Sequence, residues 1–350
     1  PLNVDSHGKI IDSTSGLTSD PNAVDDTAAG DDWANVYAKS LNAASADGDH
    51  ATVSRFLTDV TGAGDDIFFQ GGSKDPNNIS SWKYTSGSVQ DKNDIEHAYA
   101  ARYDATTTPA RPAHVYFGLD RFATAGDATL GFWFLKGTFR KNADGVSFGS
   151  TVHQDNDLLV QIDYTAGGAQ PIVAVSRWFN GALENLGTSN TQLCGASSNQ
   201  FYCATTNLHN ESAPWAYTVK NPPAGLPAGD FAPRTFFEGG IDLAHFGLDR
   251  ECFSSFVAET RSSQSFTSTL SDFVSGNFAT CSASETTSPS ASTVSPGTGV
   301  TDTATITGVR TRRGGASSSS ATGRVGAAGR GRASGTGATT GRAAAAAAGT

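Results

Sequence analysis

Four aspartates form the most suggestive chemical grouping in the sequence, because they lie at the ends of neighbouring predicted strands. Asp120 and Asp127 flank one turn, and Asp155 and Asp157 flank another. Carboxylate and amide oxygens are the ligands that Ca²⁺ prefers. We therefore predict that these four residues form a corner that binds Ca²⁺. The alternative is that each aspartate only caps its turn.

Three aromatic residues outside the densest apolar runs are candidates for ligand binding. Trp82, Trp215 and Tyr217 could stack on sugar rings if their faces were exposed. The alternative is that they belong to the core, as most aromatic residues of a β-sandwich do. The sequence leaves both interpretations open.

The sequence contains no clear pattern of catalytic residues. Glycoside hydrolysis needs two carboxylates about 5–10 Å apart, but Glu238 and Asp242 are four positions apart and Glu259 stands alone. One string, Gly145-Val-Ser-Phe-Gly149, matches a nucleophile elbow, which needs a sharp turn from a strand into a helix. No helical pattern follows it, so we interpret Ser147 as a strand residue and predict no catalytic residues.

The elements that would position these residues are short apolar runs separated by turn signals. Each run is of strand length and is rich in aromatic and β-branched residues. They comprise His114–Leu119, Leu130–Leu135, Leu158–Tyr164 and Ile172–Trp178. We predict an all-β fold, an antiparallel jelly-roll-like β-sandwich with disordered N- and C-terminal extensions. Phe132-Trp133-Phe134 is apolar on both faces and should be covered on both sides.

Three further segments are ambiguous or helical by pattern. Asp31–Tyr37 could begin a short helix or form one strand, and Asp94–Ala101 fits a helical turn or a strand of small residues. Phe266, Leu270, Phe273 and Val274 have helical spacing and predict a short lid before Cys281.

The charge distribution bears on partners. The 350 residues include 24 Lys and Arg and 34 Asp and Glu. Seven of the Arg follow Val309, so the preceding chain carries 17 basic residues against 34 acidic ones. Because phosphate binding needs clustered Lys and Arg, this acidic body argues against nucleic acid as a partner. No run approaches the roughly 18 apolar residues of a membrane span.

The four cysteines favour an oxidising compartment. Cys194, Cys203, Cys252 and Cys281 are even in number, and none has metal-ligand spacing. Sequential disulfides, Cys194 to Cys203 and Cys252 to Cys281, are the simplest of three connectivities, and four buried thiols are the alternative. Disulfides predict an extracellular setting, secreted or associated with a cell wall.

Composition divides the chain into five segments. We expect a polar N-terminal extension over 1–50, the sandwich over 51–281, a Ser/Thr/Pro linker over 282–299, the start of a following β repeat over 300–308 and a disordered tail over 309–350. Two hypotheses account for this Arg/Gly/Ala/Ser tail: a basic segment that binds nucleic acid or cell wall, or out-of-frame translation of a GC-rich gene, which we prefer.

Several phrases taken together carry a family resemblance. The chain from Asp65 to Cys281 resembles an N-terminal domain of bacterial secreted surface proteins, in which immunoglobulin-like or prealbumin-like (pilin-type) repeats follow. The resemblance implies architecture and location and no catalytic residues. Its phrases are Gln70–Asp75, Tyr116–Phe122, Gly131–Phe134, Asp157–Gln161, Phe236–Gly240 and Cys252–Ser263.

These observations together predict a non-catalytic extracellular module of a cell-surface protein, with a structural or adhesive role. Its expected partners are cell-wall, host or environmental glycans or proteins. The runner-up is a Ca²⁺-assisted carbohydrate-binding module, and a polysaccharide-cleaving enzyme on the same fold is the least favoured class. Ca²⁺ is the one cofactor that the sequence suggests.

Overall fold

The structure is a computed structural model, and its chain divides into two compact units, residues 1–280 and 281–350. The residues that it describes are 32–41, 51–69, 72–107, 110–123, 126–149, 152–164, 171–189, 201–265, 267–281, 284–289, 300–310 and 316–325.

The first unit contains two large antiparallel sheets. The five-stranded sheet consists, in spatial order, of β1 (Val53–Thr58), β4 (Ile95–Tyr103), β7 (His114–Arg121), β13 (Phe236–Asp242) and β12 (Tyr202–Thr206). The eight-stranded sheet consists of β11 (Ala182–Ser189), β10 (Ile172–Phe179), β9 (Leu158–Tyr164), β8 (Ala128–Leu135), β14 (Ser255–Arg261), β15 (Leu270–Asn277), β2 (Asp65–Phe68) and β3 (Tyr84–Gly87). The predicted all-β antiparallel sandwich is therefore confirmed.

Smaller elements complete this unit. Helix α1 (Trp33–Ser40) packs against β1 and β4, and 3₁₀ turns occur at Ile79–Ser81 and Asp91–Asn93. Two further short strands, β5 (Thr106–Thr107) and β6 (Ala110–Arg111), pair antiparallel with each other. No helix in the described ranges is long and apolar enough to cross a membrane.

The core has three apolar layers, because both sheets are covered on both faces. The inner layer lies between the sheets and includes Phe117, Phe132 and Phe134. A second layer, with Trp133, covers the outer face of the eight-stranded sheet, and a third, with Trp33, covers the outer face of the five-stranded sheet. The prediction that Phe132-Trp133-Phe134 is covered on both sides is confirmed.

The ambiguous segments are settled by side-chain burial. Asp94–Ala101 contributes to strand β4, whose small alanines fit the centre of the sheet. The helical lid predicted from Phe266, Leu270 and Phe273 is wrong, because Leu270–Asn277 is strand β15, and Phe266 lies outside the described residues. Asp31–Tyr37 contains the start of α1, where the Asp32 carboxylate caps the helix by accepting from Asn35 N at 2.8 Å.

The cysteines of the described chain are oxidised. Cys252 is bonded to Cys281, as the sequential pairing predicts. Cys203 is also disulfide-bonded, whereas Cys194 lies outside the described residues. A disulfide stabilises chiefly by restricting the unfolded chain.

The second unit contains a three-stranded antiparallel sheet. Its strands are β16 (Ser284–Pro289), β17 (Val300–Arg310) and β18 (Ala316–Val325). Strand β18 lies in the segment for which we predicted a disordered tail. The remainder of that tail, and the N-terminal extension apart from residues 32–41, lie outside the described residues.

Candidate metal centre

The loop between β1 and β2 passes from one sheet to the other and carries an aspartate at each end. Asp59 follows β1 of the five-stranded sheet, and Asp65 begins β2 of the eight-stranded sheet. Gly62 and Gly64 have φ angles of +80° and +94°, a backbone conformation that residues with a Cβ rarely adopt. These two glycines allow the short loop to turn and bring the two carboxylates together.

Two other elements bring further aspartates to this loop. Asp272 lies on β15 directly opposite Ile67 of β2, and Asp94 immediately precedes β4. The Asp272 carboxylate accepts from Ile95 N at 2.7 Å and from Phe273 N at 2.8 Å. One oxygen of Asp94 accepts from Gly62 N in the loop at 2.9 Å. Backbone hydrogen bonds therefore fix the positions of both side chains.

The carboxylates of Asp59, Asp65 and Asp272 converge on a single point. One oxygen of each lies within 4.8 Å of the others. Asp65 and Asp272 are buried, with 1% and 0% of their surface exposed, and Asp59 is half-buried. Asp94, also 1% exposed, interacts electrostatically with Asp59 and Asp65. We call these four residues the aspartate cluster.

Several oxygens of the aspartate cluster lack partners. Both oxygens of Asp65, Oδ2 of Asp59 and Oδ1 of Asp94 are buried and make no geometrically sound hydrogen bond within the described chain. The nearby ammonium group of Lys141 is paired with the adjacent Asp66 instead. Burial of a carboxylate oxygen without a hydrogen-bond partner destabilises the fold. These oxygens are therefore available as ligands for a cation.

The pKa values of the aspartate cluster show that burial and mutual repulsion disfavour the charged carboxylates. Burial, followed by the charge of Asp65, raises the pKa of Asp59 to about 8. Burial also raises the pKa of Asp94 to about 6, and the pKa values of Asp65 and Asp272 are raised for the same first reason.

A hard divalent cation matches this geometry. Ca²⁺ binds oxygen ligands at about 2.3–2.6 Å, so two of its ligands lie at most roughly 5 Å apart. The three converging oxygens meet that limit. The donors are all carboxylates, a set that suits Ca²⁺ or Mg²⁺ and not the metals that prefer sulfur or imidazole. A bound Ca²⁺ would neutralise the mutual repulsion that raises these pKa values.

The structure does not assemble the four aspartates of the predicted corner. Asp120 lies on β7 of the five-stranded sheet, whereas Asp155 and Asp157 precede β9 of the eight-stranded sheet, and Asp127 is an exposed residue just before β8. Among the described residues, the one group of three or more such side chains whose ligand atoms converge consists of Asp59, Asp65 and Asp272.

Two of these aspartates have their oxygens occupied by other partners. Asp120 Oδ1 contacts His97 Nδ1 at 2.9 Å, and Oδ2 accepts from Trp215 Nε1 at 3.0 Å. Asp157 accepts from Lys136 N at 2.8 Å and Gln154 N at 2.9 Å. Asp157 therefore caps a turn, which was the alternative interpretation.

The predicted sugar-stacking aromatics are core residues. Trp82, Trp215 and Tyr217 are 0%, 4% and 5% exposed. Each buried polar tip donates a hydrogen bond: Trp82 to Lys74 O at 3.0 Å, Trp215 to Asp120, and Tyr217 to Arg121 O at 2.7 Å. Their faces pack inside the domain and present no surface for a sugar ring.

The isolated carboxylates also have local explanations. Glu238 accepts from the Trp33 indole at 2.9 Å on the five-stranded sheet, whereas Glu259 belongs to the eight-stranded sheet. Asp242 accepts from Ala244 N and His245 N and so caps a turn. Ser147 hydrogen-bonds to Asp144 within a turn, where no strand-to-helix elbow exists in the described residues.

Sequence reasoning missed the aspartate cluster, although part of its signal is visible. Asp59 and Asp65 flank a Gly-x-Gly loop, and Asp94 follows another turn. Asp272 has no local signal, because it reaches the other aspartates only through the pairing of β15 with β2.

The fold and the candidate site together describe a β-sandwich whose two sheets meet at a cluster of buried carboxylates. Comparison of the chain with known proteins gives no matching family model, no matching curated protein and no matching solved structure.

Proposed function

We propose that this chain is a non-catalytic, Ca²⁺-binding module of an extracellular surface protein, with a structural or adhesive role. The observation that carries the proposal is the convergence of Asp59, Asp65 and Asp272 in a buried position. Residues of both sheets supply the carboxylates, so one cation would bridge the sandwich.

The bridging role follows from where each ligand is attached. Asp59 and Asp94 adjoin strands of the five-stranded sheet, and Asp65 and Asp272 belong to strands of the eight-stranded sheet. A cation bound by Asp59, Asp65 and Asp272 stabilises the folded state, because the unfolded chain holds these ligands too far apart to bind it. Extracellular Ca²⁺ modules commonly have dissociation constants of about 10⁻⁴–10⁻³ M, and we expect an affinity in that range.

Other features support the extracellular setting. Oxidised Cys203, Cys252 and Cys281 are typical of proteins outside the cytosol. The acidic body keeps such a protein soluble and is compatible with cation binding. The separate three-stranded sheet after residue 281 is what a series of successive β modules would contain.

Thermal unfolding of the full chain in CaCl₂ and in EDTA tests the proposal. Ca²⁺ at about one hundred times its dissociation constant raises the free energy of unfolding by about 2.7 kcal/mol. This corresponds to a rise in Tm of roughly 5–10 °C for a domain of this size. Asp65→Asn should abolish the rise. Asp66→Asn is the matched control, because Asp66 is the adjacent aspartate and pairs with Lys141 outside the aspartate cluster.

The comparison in EDTA separates loss of binding from loss of folding. Asp65→Asn removes one of several repelling carboxylates, so we expect it to be at least as stable as the unaltered chain in EDTA. An equal Ca²⁺-dependent rise in Asp65→Asn and in the unaltered chain, or no rise in either, would refute the proposal.

A further inference from the structure

A cavity of about 450 Å³ opens beside the strands that carry the aspartate cluster. Its walls are formed by β2, by residues in and just before the 3₁₀ turn that precedes β4, by Ser262 after β14, and by residues 269–271 at the start of β15. This volume lies within the range of about 300–1,000 Å³ that is typical of small-molecule sites.

The polar side of the cavity consists of uncharged side chains. Two amides and three hydroxyls line it: Gln90, Asn93, Ser262, Thr269 and Ser271. None of these five side chains makes a hydrogen bond within the described residues, although all are able to donate and accept.

Asn93 is the most informative of these residues. It is 5% exposed, and its backbone carbonyl accepts from Thr260 Oγ1 at 2.6 Å, which fixes its position. Its side-chain amide has no protein partner in the described chain and lines the cavity. The Asn93 amide can donate and accept hydrogen bonds, so it is available to a molecule that enters the cavity.

The remaining wall is apolar. Ile67, Phe68 and Leu270 contribute to it, and no Asp, Glu, Lys or Arg is among the described residues that line the cavity. A charged ligand would lose hydration here without gaining a partner. A ligand with several hydroxyl groups and one C–H-rich face matches both walls.

We infer that this cavity binds a neutral carbohydrate unit, with its hydroxyls on Asn93 and Gln90 and its C–H face toward Leu270. This site is separate from the aspartate cluster and goes beyond the proposed cation binding. None of its five polar residues belongs to the cluster, so carbohydrate binding is expected in EDTA as well as in CaCl₂.

Titration by NMR tests the inference, with neutral mono- and disaccharides as probes and the full ¹⁵N-labelled chain in EDTA. We expect at least one sugar to shift the amide signals of Asn93, Ser262 and Ser271. Gln90→Ala should lower the affinity for that sugar by about threefold to tenfold, since one hydrogen bond contributes about 0.5–1.5 kcal/mol to binding. Asn93→Ala should lower the affinity by about tenfold or more, because Asn93 is the buried residue of the two that bind the sugar hydroxyls.

Two controls keep the test decisive. Gln90 is exposed and its side chain caps nothing, so Gln90→Ala should fold even if Asn93→Ala does not. Gln154→Ala, an exposed glutamine on another loop, should leave sugar affinity unchanged. The inference is overturned if no neutral sugar shifts the cavity signals, or if Gln90→Ala binds the sugar as tightly as Gln154→Ala does.

Discussion

Gly131 and Glu259 face each other across neighbouring strands β8 and β14, and the Glu259 carboxyl occupies the space that a larger residue at position 131 would need. A Cβ atom at position 131 would lie 2.3 Å from Glu259 Oε1. The glycine therefore makes room for a buried acid on the outer face of the eight-stranded sheet.

The surroundings of Glu259 form a buried polar network. Asp75 accepts from Trp133 Nε1 and from Gln161 Nε2, both at 2.9 Å. Arg261 Nε lies 3.3 Å from Asp75 and 3.7 Å from Glu259. Burial, followed by the charge of Asp75, raises the pKa of Glu259 well above its usual value. The Glu259 carboxyl therefore holds its proton to a higher pH than an exposed glutamate does.

Gly131→Ala should destabilise the chain by about 1–3 kcal/mol, as overpacking of a dense core does. Urea unfolding followed by tryptophan fluorescence measures the change. Gly72→Ala is the control, because a Cβ at position 72 meets nothing within 4 Å. Equal stability of the two variants would contradict this view of position 131.

Glu259→Gln should make the chain less sensitive to pH. Because the folded chain holds the Glu259 proton to a higher pH than the unfolded chain does, its contribution to stability falls as pH rises above about 4.5. The decrease amounts to about 1.4 kcal/mol per pH unit until the folded pKa is reached. The neutral amide has no such dependence.

Urea unfolding at about pH 5 and about pH 8 measures this difference. The free energy of unfolding of Glu259→Gln, relative to that of the unaltered chain, should be higher at about pH 8 than at about pH 5. Parallel pH profiles for the two proteins would show that Glu259 is charged in the folded state.

Substitution of Asp272 should destabilise the chain more than substitution of Asp65 does when no cation is present. Asp272→Ala removes the acceptor for two buried backbone N–H groups, those of Ile95 and Phe273, and should cost about 1–3 kcal/mol in EDTA. Asp65→Ala removes a carboxylate whose oxygens are unpartnered and should cost less. Chemical denaturation in EDTA compares them, and a larger loss for Asp65→Ala would contradict the assigned roles.

Removal of the Cys252–Cys281 disulfide should lower stability without changing the fold. A bond that closes a loop of this length contributes about 3–4 kcal/mol through the unfolded state. Differential scanning calorimetry of the Cys252→Ser, Cys281→Ser double variant measures the loss, and circular dichroism checks that the strands persist. An unchanged Tm would show that the bond adds nothing to stability.

The sequence by itself determined the fold class and most of the strands. Alternation and continuous apolar runs are local properties, and a strand such as Leu158–Tyr164 is specified by its own side chains. The double burial of Phe132-Trp133-Phe134 was also predictable, because the run is apolar on both faces. The pairing of Cys252 with Cys281 belongs to the simplest of the three possible connectivities.

Tertiary structure alone decided which polar residues meet. Asp59 and Asp272 are more than 200 positions apart, and only the pairing of β15 with β2 brings them together. In contrast, the sequence predicts that Asp120 and Asp157 share one site, whereas they lie at different sheets and the oxygens of each are hydrogen-bonded to its own neighbours. Strand pattern specifies local backbone conformation, whereas sheet order specifies long-range contacts, and the contacts determine where unpaired charge accumulates.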